Sequence, residues 1–152
     1  MNERNYQVRI EGIDIIGKSL YKFQIFEKDT FGFNIKTQLV GDSEKKVIVV
    51  FVAIEIKRLN DKNDLLAEML VGIGFIVENF TEVFNKDENG IHIIPAEFEN
   101  MVKTISISTV RGIMFSEFRG TQLHKAILPI ILTDKFVPTE ENIYQTEPVK
   151  KL

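Results

Sequence analysis

The chain has no cysteine and no tryptophan, four prolines among 152 residues, and no apolar run approaching the roughly 18 residues needed to cross a bilayer. Without thiols it forms no disulfide, thiolate metal site or cysteine nucleophile, and it suits a reducing cytosol. Its first residues, MNERNYQV, lack the apolar stretch of a secretory signal, so the expectation is a cytoplasmic protein with no membrane span. The formal net charge is −3 and the basic residues are scattered, which argues against nucleic acid as a partner, because phosphate binding needs clustered Lys and Arg. Catalytic patterns are missing as well. His92 and His124 have no partner residue at metal-ligand spacing, and Ser106, Ser108 and Ser116 stand outside any nucleophile-elbow pattern. Gly72-Ile73-Gly74-Phe75 lacks the third glycine and the following helix of a dinucleotide-binding turn. The expectation is therefore a binding protein with no catalytic residue, metal or cofactor.

What is present is 44% hydrophobic and 27% charged, with twelve phenylalanines, which reads as one soluble globular domain over residues 1–152 with a loose tail from about residue 138. Tyr6, Val8 and Ile10 alternate, and the phase shifts at Glu11-Gly12 to Ile13 and Ile15, as in a strand with a bulge. Alternation resumes with Tyr21, Phe23 and Ile25, and again from Phe31 to Leu39, where Gly32, Asn34, Lys36 and Gln38 form a wet face. The turn Gly41-Asp42-Ser43 closes a hairpin onto VIVVFVAIEIK, whose unbroken apolar start predicts a central strand covered on both faces. In residues 65–78, Leu65, Ala67, Met69, Val71, Ile73, Phe75 and Val77 share one face, and Leu66, Glu68, Leu70, Gly72, Gly74 and Ile76 the other. Thr81 to Asn89 reads as a polar connection.

Residues 95–120 are the long segment with helical periodicity, opened by Pro95 and stopped by Gly120. On a helical wheel Phe98, Met101, Val102, Ile105 and Ile113 fall on one side, while Ile107, Val110, Met114 and Phe118 fall nearly opposite. Two apolar stripes predict burial on both sides, one against the chain's own sheet and one against another subunit, with Ile107, Val110 and Met114 at the oligomer interface. LHKAILPIIL reads as an extended arm packed on the body.

Strands first, then a long helix and an arm, give an α+β fold on a four-stranded antiparallel sheet. At this point the chain resembles the SecB and SecB-like chaperone family. The resemblance is carried by Leu66-Ala67-Glu68-Met69 with Gly72-Ile73-Gly74-Phe75-Ile76, by an Arg-Gly late in the helix, and by Ile127-Leu128-Pro129-Ile130 in the arm. It departs from the family where Phe98 is followed by Glu99 rather than proline, and both Arg111-Gly112 and Arg119-Gly120 compete for one family position. The resemblance implies a homotetramer, or failing that a dimer, with helices sandwiched between sheets. It implies an ATP-independent holdase, acting in protein export or for a dedicated client such as an antitoxin. The alternative is a SecB-like protein that binds one folded partner or an apolar ligand. It maps Leu66 and Glu68 onto a surface that docks a SecA-like translocase partner. Phe115, Phe118, Leu123, Ile127, Ile130, Ile131 and Phe136 are the candidate walls of a groove for unfolded polypeptide, because a holdase needs more exposed apolar surface than an isolated monomer tolerates.

Overall fold

A computed structural model describes residues 5–59, 62, 64–90 and 92–131, with the backbone alone described at His92. Phe136 and the predicted tail lie outside the described residues. Four long strands, β1 (Val8–Leu20), β2 (Phe31–Asp42), β3 (Val47–Arg58) and β4 (Leu65–Val77), form one antiparallel sheet in the order β1-β4-β3-β2. A helical turn α1 (Phe80–Val83) and a short ribbon of β5 (Asn85–Lys86) with β6 (His92–Ile93) then lead to the long helix α2 (Ala96–Glu117).

β1 carries two bulges, with Glu11 and Ile16 as the extra residues opposite β4. Each bulge resets the alternation, so Val8, Ile10, Ile13, Ile15 and Leu20 all stand opposite the inward residues Val77, Phe75, Ile73, Val71 and Ala67 of β4. Sequence periodicity showed the first bulge and missed the second. β1 and β2 are consecutive in the chain yet occupy opposite edges of the sheet, so the segment after Leu20 must cross one end of it. Tyr21, Phe23 and Ile25, expected as a strand, belong to that crossing connection, which has no regular strand pairing. Arg58 holds it: its Nη2 donates to Gln24 O at 2.6 Å, and its guanidinium lies 3.7 Å from Asp29 and 6.0 Å from the centre of the Phe26 ring. Phe23 and Ile25 lean on the core.

The β2–β3 hairpin turns at residues 43–46, where Asp42 Oδ1 accepts from the N–H groups of Glu44 and Lys45, and Lys46 adopts φ 54°. Phe84 packs over Gly41, where any Cβ would overlap its ring. The inner face of the sheet is apolar and closed over β3 and β4: Ile48, Val50, Val52, Ile54 and Ile56 meet Val71, Ile73 and Phe75 in one core. The odd-numbered residues of β3 on the outer face remain partly exposed, so only one face of that strand is covered within the protomer.

Helix α2 packs on β3 mainly by one row of side chains, with Lys103 and Ile107 buried beside it. Phe98, Val102, Ser106, Val110, Met114 and Phe118 follow one another at four-residue spacing, and all are buried. Such a row drifts about 40° per step around a helix of ~100° per residue, so its two ends look opposed on a wheel although they lie along one ridge. This corrects the two-stripe expectation: Ile107, Val110 and Met114 are in the protomer's own core, and no surface of theirs is left to meet another subunit. Pro95 is the N-cap rather than a residue of the first turn, and Gly120, at φ 79°, follows the helix end where a left-handed residue is needed.

Candidate functional site

The chain after α2 turns back on the body and is anchored by three buried side chains, Leu123, Ala126 and Leu128. Thr121 braces the first turn: its hydroxyl donates to Phe118 O at 2.7 Å and accepts from Leu123 N at 3.1 Å. His124 closes the next, with Nδ1 3.0 Å from Thr121 O. Beyond Ile127 the backbone has no regular secondary structure, and Arg111 supplies its tether. Nε donates to Leu128 O and Nη2 to Pro129 O, both at 2.9 Å, so one guanidinium satisfies two successive carbonyls. Leu128 points into the core, while its neighbours face water, Ile127 at 54% and Ile130 at 80% exposure. Phe115, one helical turn beyond Arg111, is 56% exposed.

The predicted groove set is thus divided. Phe115, Ile127 and Ile130 present apolar surface around the Arg111 tether, and Ile131 is half-buried beside the core. Phe118 and Leu123 are buried and serve as the anchor, since the tight turns at residues 118–126 need apolar footing beneath them. Sequence reading missed Arg111 as the link between helix and arm. Its place in a polar seam and the carbonyl-only proline at position 129 were the available signals.

On the outer face, Glu55 of β3 and Glu68 of β4 stand directly opposite each other. Like charges in that arrangement repel, and each carboxylate has its own relief. Asn34 Nδ2 donates to Glu55 at 3.0 Å and Lys57 lies 3.2 Å away, while the Tyr21 hydroxyl donates to Glu68 at 2.5 Å. The hydrogen bond from Asn34, reinforced by Lys57, holds the Glu55 carboxyl below its ordinary pKa, and the bond to Glu68 raises the Tyr21 phenol. Asn34, Glu55 and Glu68 line a depression of about 330 Å³ together with Ala53 and Leu70. Leu66, expected beside Glu68, lies elsewhere. It is the extra residue where the β3–β4 register shifts between Ile56 and Lys57, and it is wholly buried, so it has no side-chain surface to offer a docking partner.

Further apolar surface lies on β1 and α2. Ile10, Ile13, Ile15 and Leu20 on the inner face of β1 are each between 43% and 48% exposed. On one flank of α2, Met101 and Ile105, which lean on the core and stay partly exposed, recur with Ser108, Gly112 and Phe115 at alternating spacings of four and three residues, the pattern of a helix–helix seam with small residues at its centre. Among the described residues no group of His, Asp and Glu is placed to hold a metal ion, and no helix is long and apolar enough to cross a membrane.

No family model matches the chain, and neither does any curated protein. Among solved structures it superposes on the SecB-like chaperone Rv1957 of Mycobacterium tuberculosis, in complex with a ChAD peptide from the Rv1956 HigA1 antitoxin. The TM-score is 0.59 at 12% identity, over 82% of this chain and 89% of that one. The fold is SecB-like. The four-stranded antiparallel sheet followed by a helix is consistent with that fold, at 12% identity.

Proposed function

We propose that this SecB-like domain is a cytoplasmic, ATP-independent chaperone that holds extended apolar polypeptide against the ledge formed by Phe115, Ile127 and Ile130. The observation that carries the reading is the exposure of Phe115 on α2 and of Ile127 and Ile130 on an arm whose neighbouring residues are firmly anchored. An apolar side chain left in water at 80% exposure gains by capture of an apolar partner, and burial returns about 25 cal/mol per Å². Rigid anchoring limits the ordering entropy that capture would otherwise cost. Binding of this kind is weakly sequence-specific and little affected by salt. In this reading Glu68 with its outer-face neighbours forms the docking surface for a folded partner such as a translocase component.

Self-association belongs to the same proposal. The α2 seam and the uncovered inner face of β1 are the surfaces that a second copy would bury, in a dimer or a dimer of dimers. A client restricted to one antitoxin-like partner is the second reading, favoured by the peptide bound to the M. tuberculosis chaperone. Aggregation suppression with several unfolded, disulfide-free clients distinguishes the two. The general chaperone suppresses most of them, and Ile127→Ser with Ile130→Ser abolishes the effect without lowering stability, because both residues are exposed. A wild-type protein that protects none of them sinks the general reading and leaves the dedicated one.

A further inference from the structure

The arm from Ile127 to Ile131 is unusual in how it is held. Ile127 N–H reaches back to Lys125 O at 3.0 Å, but among the described residues no backbone carbonyl accepts from the N–H groups of Ile130 and Ile131, and Pro129 has none to donate. No sheet secures this segment. Side-chain attachments do: the buried Leu128, the half-buried Ile131 against the core, and the Arg111 fork on Leu128 O and Pro129 O. The fork acts on main-chain atoms, so it sets the orientation of the residues on either side and not merely their proximity to the helix.

We propose that Arg111 is the positioning residue of the polypeptide-binding ledge: by clamping the carbonyls of Leu128 and Pro129 it keeps the arm extended, with Ile127 and Ile130 turned outward and the N–H groups of Ile130 and Ile131 free to pair with the backbone of an extended apolar segment. This rests on the chaperone reading above and adds to it how the captured chain is gripped, through main-chain pairing along the arm as well as through apolar contact. A flat guanidinium with fixed donor directions can bridge two successive carbonyls, whereas a lysine ammonium at the same place keeps the charge and loses the fork. Leu128 and Ile131 hold the segment by apolar contact alone, which fixes no main-chain orientation between them, whereas the fork does.

The test uses the full-length chain with reduced, carboxymethylated α-lactalbumin as the unfolded polypeptide, and compares wild type with Arg111→Met and Arg111→Lys. Binding is read by fluorescence anisotropy, thermal unfolding by circular dichroism, and amide exchange at Ile127, Leu128, Ile130 and Ile131 by mass spectrometry. Arg111→Met is expected to speed exchange at Ile127, the arm amide that is bonded to a carbonyl, and to weaken binding roughly tenfold, in line with the loss of two charge-assisted hydrogen bonds, while the melting temperature stays within a few degrees. Arg111→Lys falls between the two, because charge without the fork restores only part of the geometry. In wild type, bound polypeptide slows exchange at Ile130 and Ile131. The proposal is overturned if Arg111→Met binds as wild type does, if Arg111→Lys restores binding in full, or if exchange along the arm is the same in all three. If wild type binds no unfolded polypeptide, the chaperone reading and the ledge's role in it fall together, and unchanged exchange in Arg111→Met would show separately that the clamp itself is wrong.

Discussion

The inner face of the sheet has the same apolar chemistry on β1 as on β3, yet a different fate. Ile48, Val50, Val52, Ile54 and Ile56 of β3 are buried to within 1% of complete enclosure, while Ile10, Ile13 and Ile15 of β1 keep more than 40% of their surface in water. The helix accounts for the difference. α2 packs on β3 and touches the β1 side of the sheet near its two ends, where Tyr6, just before β1, meets Phe98 and Lys18 meets Glu117. Alternation in a strand therefore reports which way its side chains point and says nothing about whether anything covers them. Uncovered apolar surface on an otherwise closed protomer is where a second copy or a client would act.

The contrast is broken most severely by placing a charge on the covered side. Val110→Glu should destabilise the protomer by about 3 kcal/mol or more, read from the denaturant midpoint, because a carboxylate is forced into a closed core. A fully stable Val110→Glu chain that merely loses its assembly would return that ridge to the subunit boundary. The uncovered side should respond in the opposite sense. Ile13→Ser with Ile15→Ser should cost the isolated protomer less than about 1 kcal/mol each, given how exposed both are, and should lower the mass seen by light scattering if a second copy covers β1. No change in mass would exclude β1 from the interface.

A finer test lies on the helix. A Cβ at Gly112 meets nothing within 4 Å, so Gly112→Ala should stabilise an isolated protomer by about 0.5–1 kcal/mol through helix propensity. If the seam of α2 packs closely on another helix, the added methyl group should instead weaken the assembly, and concentration-dependent thermal melts separate these outcomes. The smallest effect is electrostatic. Glu55 has a folded-state pKa below its unfolded one, so its bonds to Asn34 and Lys57 stabilise the fold above the unfolded value, and this contribution is lost as pH falls through the folded value. Asn34→Ala should flatten that acid dependence by well under about 1 kcal/mol, since the group is largely solvated.

Several features could be read directly from the chain. The phase shift at Glu11-Gly12 announced a bulge, the alternation from Ala67 to Val77 named the inward face of β4, and the 95–120 periodicity placed the long helix to within a few residues of Ala96–Glu117. The crossing of residues 21–30 was hidden because alternating apolar residues lean on a core equally well from a connection as from a strand. Leu66 misled for a related reason: a register shift at Ile56/Lys57 leaves no mark in the sequence of β4, yet it takes one residue out of alternation. Of the ledge, the apolar residues of the arm were visible as candidates, but their division into anchors and exposed surface was not.

Apart from the connection at residues 21–30, local pattern by itself determined where the long strands and the long helix lie, that the sheet precedes the helix, and that the arm is too short and too proline-limited for another long helix. These depend on periodicity, turn chemistry and the geometry of proline, all of which act over a few residues. Only the tertiary structure decided that one drifting ridge of α2 faces its own sheet, that β1 is left half-uncovered, and that Arg111 reaches across 17 residues of sequence to clamp Leu128. The physical reason is that burial and hydrogen-bond partnership are properties of surfaces brought together by the whole chain. A helical wheel cannot show how far a ridge drifts along a twisted sheet, nor which carbonyl a guanidinium will find.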